Sequence, residues 1–184
     1  MSEERILKRF PNLHTTDWSI YSASSYRCNC AGFVIGFEAN EMWPVDDDDS
    51  PTFWPAHLPK TESLKNFQDA YQSYGFTLCD SASFDDQEVV KIAIYRYLTG
   101  KPSHVAWQHA RQKHWHSKIG SEEDIIHELD ALNGPKPAYG APALFMQISL
   151  DGFRKLWHEF AVSRRPRNGT PIAECERDLE LNPR

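Results

Sequence analysis

The chain has 184 residues, enough for one domain with a sizeable buried core. Its 20 Lys and Arg stand against 26 Asp and Glu, a net charge of −6, which argues against nucleic acid as a partner, because phosphate recognition demands a basic stripe. The hydrophobic share of 40% and aromatic share of 12% fit a globular fold, and no run of about 18 apolar residues offers a membrane span.

In chain order, residues 1–25 give little periodic signal beyond a first turn around Glu4 to Phe10, which Pro11 ends. The first clear helix is expected after Asn29, a strong N-cap because its side-chain oxygen accepts an orphan backbone N–H. Phe33, Val34 and Phe37 recur there at helical spacing, with Gly32 and Gly36 forming a small-residue face. Glu41 to Pro59 reads as a long loop, broken by prolines and pinned by Trp43 and Trp54. Its run Asp46 to Asp49 is expected to be exposed, since four adjacent carboxylates repel one another. Thr61 is expected to cap a second helix with an apolar stripe of Leu64, Phe67, Tyr71 and Tyr74, stopped by Gly75.

Strands follow. Phe76 to Cys79 reads as a short one, and Val89 to Leu98 as a stronger one by its β-branched alternation. A Gly100-Lys101-Pro102 turn leads to a strand from Ser103 through Trp107, and Trp115 to Ile119 is expected to return as its antiparallel partner. Ser121-Glu122-Glu123-Asp124 resembles a capping box, so a helix carrying Ile125, Ile126, Leu129 and Leu132 is expected next, with His127 on its surface or at an interface. Ala143 to Ile148 reads as the last strand, and Asp151 as the cap of a closing helix. The arrangement is an α+β domain over residues 1–163, with a polar C-terminal tail over 164–184 that includes Arg164, Arg165 and Arg167.

The N-terminal residues lack the basic start and apolar run of a signal peptide, so the expected location is cytoplasmic and the four cysteines are expected as thiols. Cys30 is the leading chemical candidate. At the first position of a helix, free N–H groups and the helix dipole favour the thiolate, the form that attacks a carbonyl. A buried cysteine packed as a small hydrophobe is the competing role. His104 stands at the start of a strand after a turn, where its ring could serve as base from any distance in sequence.

His109, His114 and His116 cluster in sequence, but Cys28-Asn29-Cys30 lacks the spacing that zinc sites favour and no matching pair follows. No metal and no cofactor is therefore expected. The chain has no Gly-rich phosphate loop, no Gly-x-Ser-x-Gly elbow and no paired-carboxylate signature.

A series of motifs runs through the chain: Tyr26-Arg27-Cys28-Asn29-Cys30-Ala31-Gly32, Trp43-Pro44, Trp54-Pro55, Lys91-Ile92-Ala93-Ile94-Tyr95, Ser103-His104-Val105-Ala106, Trp115-His116-Ser117-Lys118-Ile119-Gly120 and Asp124-Ile125-Ile126-His127. In this order it resembles a family of small, uncharacterised, mostly bacterial domains with Asn-Cys-Ile-Ala-Trp, Thr-His-Ala-Ala-Arg, Trp-x-Ser-Lys-Leu-Gly and Asp-Ile-x-His motifs. Those domains in turn look like compact papain-like folds of the NlpC and CHAP amidase type. The resemblance implies a papain-like domain in which a helix carrying the cysteine packs on a small, mostly antiparallel sheet. It implies Cys30 as nucleophile, His104 as base and Ser117, on the returning strand, as the group that orients the base. His116 takes that place if the register slips by one residue, since a one-residue shift flips the face.

The implied function is a cysteine hydrolase or acyltransferase acting on an amide in a protein, peptide or small molecule. Ala31-Gly32-Phe33 and Val105-Ala106-Trp107 depart from the pattern. The alternative is a catalytically inactive papain-like domain that serves as a protein-interaction module, using the tryptophans of the 41–59 loop.

Overall fold

The computed structural model describes residues 3–22, 28–37, 40–45, 52–84, 88–120 and 122–163. The acidic run Asp46 to Asp49, the arginines at 164, 165 and 167, Cys175 and the expected tail lie outside these residues.

Among the described residues, helices and strands follow one another in the order α1 (Glu3–Arg9), β1 (Trp18–Ser22), α2 (Cys30–Val34), α3 (Leu64–Ser73), β2 (Thr77–Leu78), β3 (Val89–Arg96), β4 (Pro102–Gln108), β5 (Trp115–Lys118), β6 (Asp124–His127), β7 (Ala141–Ser149) and α4 (Leu150–Ser163). Short 3-10 turns at Pro11–His14 and Leu129–Leu132 complete the described chain. The strands form one seven-stranded sheet in the order β1-β6-β5-β4-β3-β7-β2, and its strand pairs are antiparallel. The domain is thus of the α+β class.

The period-two alternation of the strands sorts two cores onto the two faces of the sheet. Ile92 and Ile94 of β3, with Val105 and Trp107 of β4, join Ala31, Val34, Phe67, Tyr71, Phe153 and Trp157 from α2, α3 and α4. Ala93 and Tyr95, with Ala106, point the other way and pack with Ile6 of α1, Phe10, Trp115, Ile125 and Tyr139. Both faces are covered, and β3 is buried along nearly its whole length.

Several elements differ from the sequence expectation, each for a physical reason. The helix expected after Ser121 is the strand β6, whose residues pair with both β5 and β1. The β-branched pair Ile125-Ile126 suits a ladder, and a central strand satisfies every backbone group that a short isolated helix would leave open. Gly120, at φ 60, makes the turn into it. The helix at Asn29 is only five residues long, and Gly36 at φ 70 stops further winding before Phe37.

Ser63, not Thr61, caps α3 by accepting from the Asn66 N–H at 3.2 Å, and Thr61 instead bonds the Asn66 side chain. Ser149 plays the capping part expected of Asp151, accepting from Gly152 N at 3.1 Å, while Asp151 pairs with Lys155 in the first turn of α4. β1 was not foreseen, because Trp18–Ser22 shows no clean alternation and its burial is incomplete.

The tryptophans do pin the 41–59 loop, as expected. Trp54 is 6% exposed and donates its Nε1–H to Pro59 O at 3.1 Å, and Trp43 donates to Glu62 Oε1 at 3.1 Å. Among the described residues, no helix is long and apolar enough to cross a membrane, and no group of three or more His, Cys, Asp or Glu could hold a metal ion.

Candidate active site

Asn29 organises the approach to Cys30. Its Oδ1 accepts from Gly32 N at 3.1 Å, which caps α2, and also from Met42 N at 3.1 Å. Its Nδ2 donates to Met42 O at 3.0 Å. One amide thus holds the start of α2 against residue 42 through both its oxygen and its nitrogen. Gly32 is required here, because a Cβ at this position would lie 2.7 Å from Phe37 O.

Cys30 is 6% exposed. Backbone N–H groups of Val105, Ala31 and Cys30 itself donate towards its sulfur. The Val105 contact matters most for geometry, since it sets the thiol beside the peptide that follows His104 in β4. The expectation of a pre-formed thiolate is corrected here. Burial pushes the Cys30 thiol up to about 11, the three N–H groups oppose this only in part, and Glu41 adds a further rise. A helix of five residues offers a weak dipole, so desolvation of the charged form wins.

His104 is fully buried and held from several directions. Its ring stacks on Tyr139 with centroids 4.0 Å apart and planes 4° apart, and Tyr95 meets it edge-on at 5.5 Å. Its Nε2 bonds Ser117 Oγ at 2.8 Å. Its Nδ1 is buried without a hydrogen-bond partner among the described residues, so no hydrogen bond joins it to the Cys30 thiol. Burial, then the charges of His127 and Arg9, hold the imidazole well below the usual histidine range, so it is neutral at pH 7.

Ser117 and His116 fall on opposite faces of β5. Ser117 lies on the face of His104 and bonds it. His116 turns to the other side, stacks on Trp107 at 4.6 Å and bonds Gln112 Oε1 through Nε2 at 2.9 Å. Burial, assisted by His127, pushes His116 down to about 3. The hydroxyl of Ser117 also reaches His127 Nε2 at 2.7 Å, and His127 Nδ1 reaches Glu128 O at 2.6 Å. His127 is fully buried, and burial pushes its imidazole down to about 4.

The expectation of a surface helix residue is therefore overturned for His127. The signal that could have found it is the period-two position of His127 with Ile125 in an Asp-Ile-Ile-His strand. The capping-box reading obscured it.

Neither the curated proteins nor the solved structures include a match to this chain. Residues 19–147, which contain Cys30, His104, Ser117 and His127, match a family described only as a domain of unknown function, DUF7689, and the chain belongs to that family.

Proposed function

We propose that the domain is a papain-like cysteine hydrolase or acyltransferase acting on an amide, with Cys30 as nucleophile and His104 as base. The observation that carries this reading is the state of the His104 ring. Ser117 holds one nitrogen, Tyr139 and Tyr95 fix the plane, and the other nitrogen has no partner among the described residues, one residue along β4 from the peptide N–H that donates to the Cys30 sulfur. A buried ring nitrogen without a partner costs free energy; His109 and His116 carry one as well, so what sets His104 apart is its place beside the peptide N–H that donates to the Cys30 sulfur.

In the reaction, the sulfur bonds to the carbonyl carbon while its proton passes to His104 Nδ1. The N–H groups at the sulfur stabilise the negative charge as the proton leaves. Collapse of the tetrahedral intermediate breaks the C–N bond, and the leaving amine takes the proton from Nδ1. Water or a second amine then resolves the thioester. Because Cys30 is buried, at 6% exposure for the whole residue, substrate entry requires the covering side chains to part.

The second reading, an inactive interaction module, is favoured by that same burial and by the raised thiol. Trp54, however, is buried in the core and offers no docking surface.

Exposure to p-nitrophenyl acetate separates the two readings. The expected result is one acetyl group on Cys30 by intact mass, followed by slow release. Cys30→Ser should lose the label, and His104→Gln should slow its formation by about 10²-fold or more. Labelling that spares Cys30, or that proceeds equally in His104→Gln, supports the inactive module.

A further inference from the structure

The hydrogen bonds behind His104 have a direction, and that direction reaches the free nitrogen. Glu128 O is a carbonyl and only accepts, so the 2.6 Å contact requires a proton on His127 Nδ1. His127 is neutral, since burial pushes its imidazole down to about 4, so its Nε2 carries a lone pair and only accepts. The single hydroxyl proton of Ser117 must then point to His127 Nε2, across 2.7 Å. Ser117 Oγ has only lone pairs left for His104, so the proton on that 2.8 Å contact belongs to His104 Nε2. Neutral His104 therefore keeps its Nδ1 bare.

We propose that His127 is a positioning residue that sets the tautomer of His104: the Glu128 carbonyl fixes the His127 ring, His127 turns the Ser117 hydroxyl, and the hydroxyl leaves His104 with a bare Nδ1. This inference rests on the reading of His104 as the base, and it explains how a serine, which carries no charge, can prepare one. A serine alone rotates freely and would donate to either neighbour. Flanked by a committed acceptor, it becomes a one-way connector. Three of the four groups are in the core, His104, Ser117 and His127 each at 0% exposure, so water does not compete for the two contacts of the Ser117 hydroxyl, while Glu128 is exposed and offers its backbone carbonyl at the margin. The connector holds the ring and its proton pattern without offering a negative charge, in keeping with the depressed basicity of His104.

The β-sheet register makes the arrangement possible. Trp115 pairs with His127 and Ser117 with Ile125, so Ser117 and His127 stand diagonally on one face of the β5–β6 ladder. The β4–β5 pairing is confined to Trp107↔His116 and Gln108↔Trp115, so the strands part before His104, and Ser117 bridges the gap by side chain.

The test is nitrogen NMR of histidine-labelled protein at neutral pH, with His104 assigned through His104→Gln. His104 should show a protonated Nε2 and a bare Nδ1, and His127 the reverse. His127→Phe removes the acceptor and should release His104 into a tautomer mixture. His127→Gln, whose amide oxygen can still accept from Ser117, should keep the wild-type pattern. A wild-type His104 protonated at Nδ1 overturns the proposal, as does an unchanged tautomer in His127→Phe. Should His127→Phe not fold, the wild-type pattern decides alone. Failure of acylation at Cys30 with the predicted tautomers intact would remove the hydrolase reading and leave the role of His127 standing.

Discussion

Lowering the pH from 7 to about 4.5 is expected to unfold the domain. His127 and His116 are buried neutral, with folded-state values pushed down by burial to about 4 and about 3, and His104 is pushed down as well. The sign follows from proton counting. In the unfolded chain these rings protonate near pH 6.5, so between there and their folded values the unfolded state binds more protons. Their contribution is whole above the unfolded value and is lost as pH falls. Each histidine contributes a slope of up to about 1.4 kcal/mol per pH unit, so three together can remove most of a typical stability of about 5–15 kcal/mol within two units. Cys30 acts on the other flank. Its raised value means that stability is present below pH 9 and declines as pH rises towards 11. Urea midpoints measured from pH 7 to 4.5 check the acid limb, and a stability that stays flat between pH 6.5 and 5 would contradict the burial of neutral rings.

Asp124→Ala is expected to cost about 3 kcal/mol or more, because it strands a charge in the core. Lys118, at 1% exposure, donates its ammonium to Asp124 Oδ1 at 3.2 Å and to Glu122 O at 2.9 Å. Asp124 also accepts from the hydroxyl of Ser22 on β1. This pair closes the β5–β6 hairpin that carries Ser117 and His127, at the register position next to Ser117↔Ile125. Without the carboxylate, the ammonium must lose its charge or drag water inward. Replacing both partners, by Lys118→Met with Asp124→Leu, should recover most of the loss, since a packed apolar pair substitutes well for a buried ion pair. Chemical denaturation reads both variants. A double variant as unstable as Asp124→Ala would mean that the damage lies in the Ser22 contact or in packing.

The parts of this fold written in local chemistry were legible in the sequence. The alternation from Val89 marks β3, the Gly100 turn marks the hairpin, and Asn29 marks the start of α2. Ser117 was reached through motif resemblance, and its bond to His104 depends on where β4 and β5 part, which no local pattern encodes. β6 was missed because Ser121 to Asp124 satisfies a capping pattern that the neighbouring strands override. The state of Cys30 was misjudged for a similar reason. Its helix position was readable, but the burial that outweighs it arises only in the folded chain, where β4 brings the Val105 peptide against the sulfur.

Cys30 alkylation by iodoacetamide as a function of pH, with Cys28, Cys79 and Cys175 changed to Ser, tests the partnership of Cys30 with His104 most directly. A thiol pushed to about 11 is thiolate to only about one part in 10⁴ at pH 7 and should react accordingly slowly when unaided. The account predicts a neutral-pH rate above that level, lowered by about 10²-fold in His104→Gln, with the two proteins converging at high pH where hydroxide forms the thiolate in both. A neutral-pH rate that matches the unaided thiol and is unchanged in His104→Gln would contradict it.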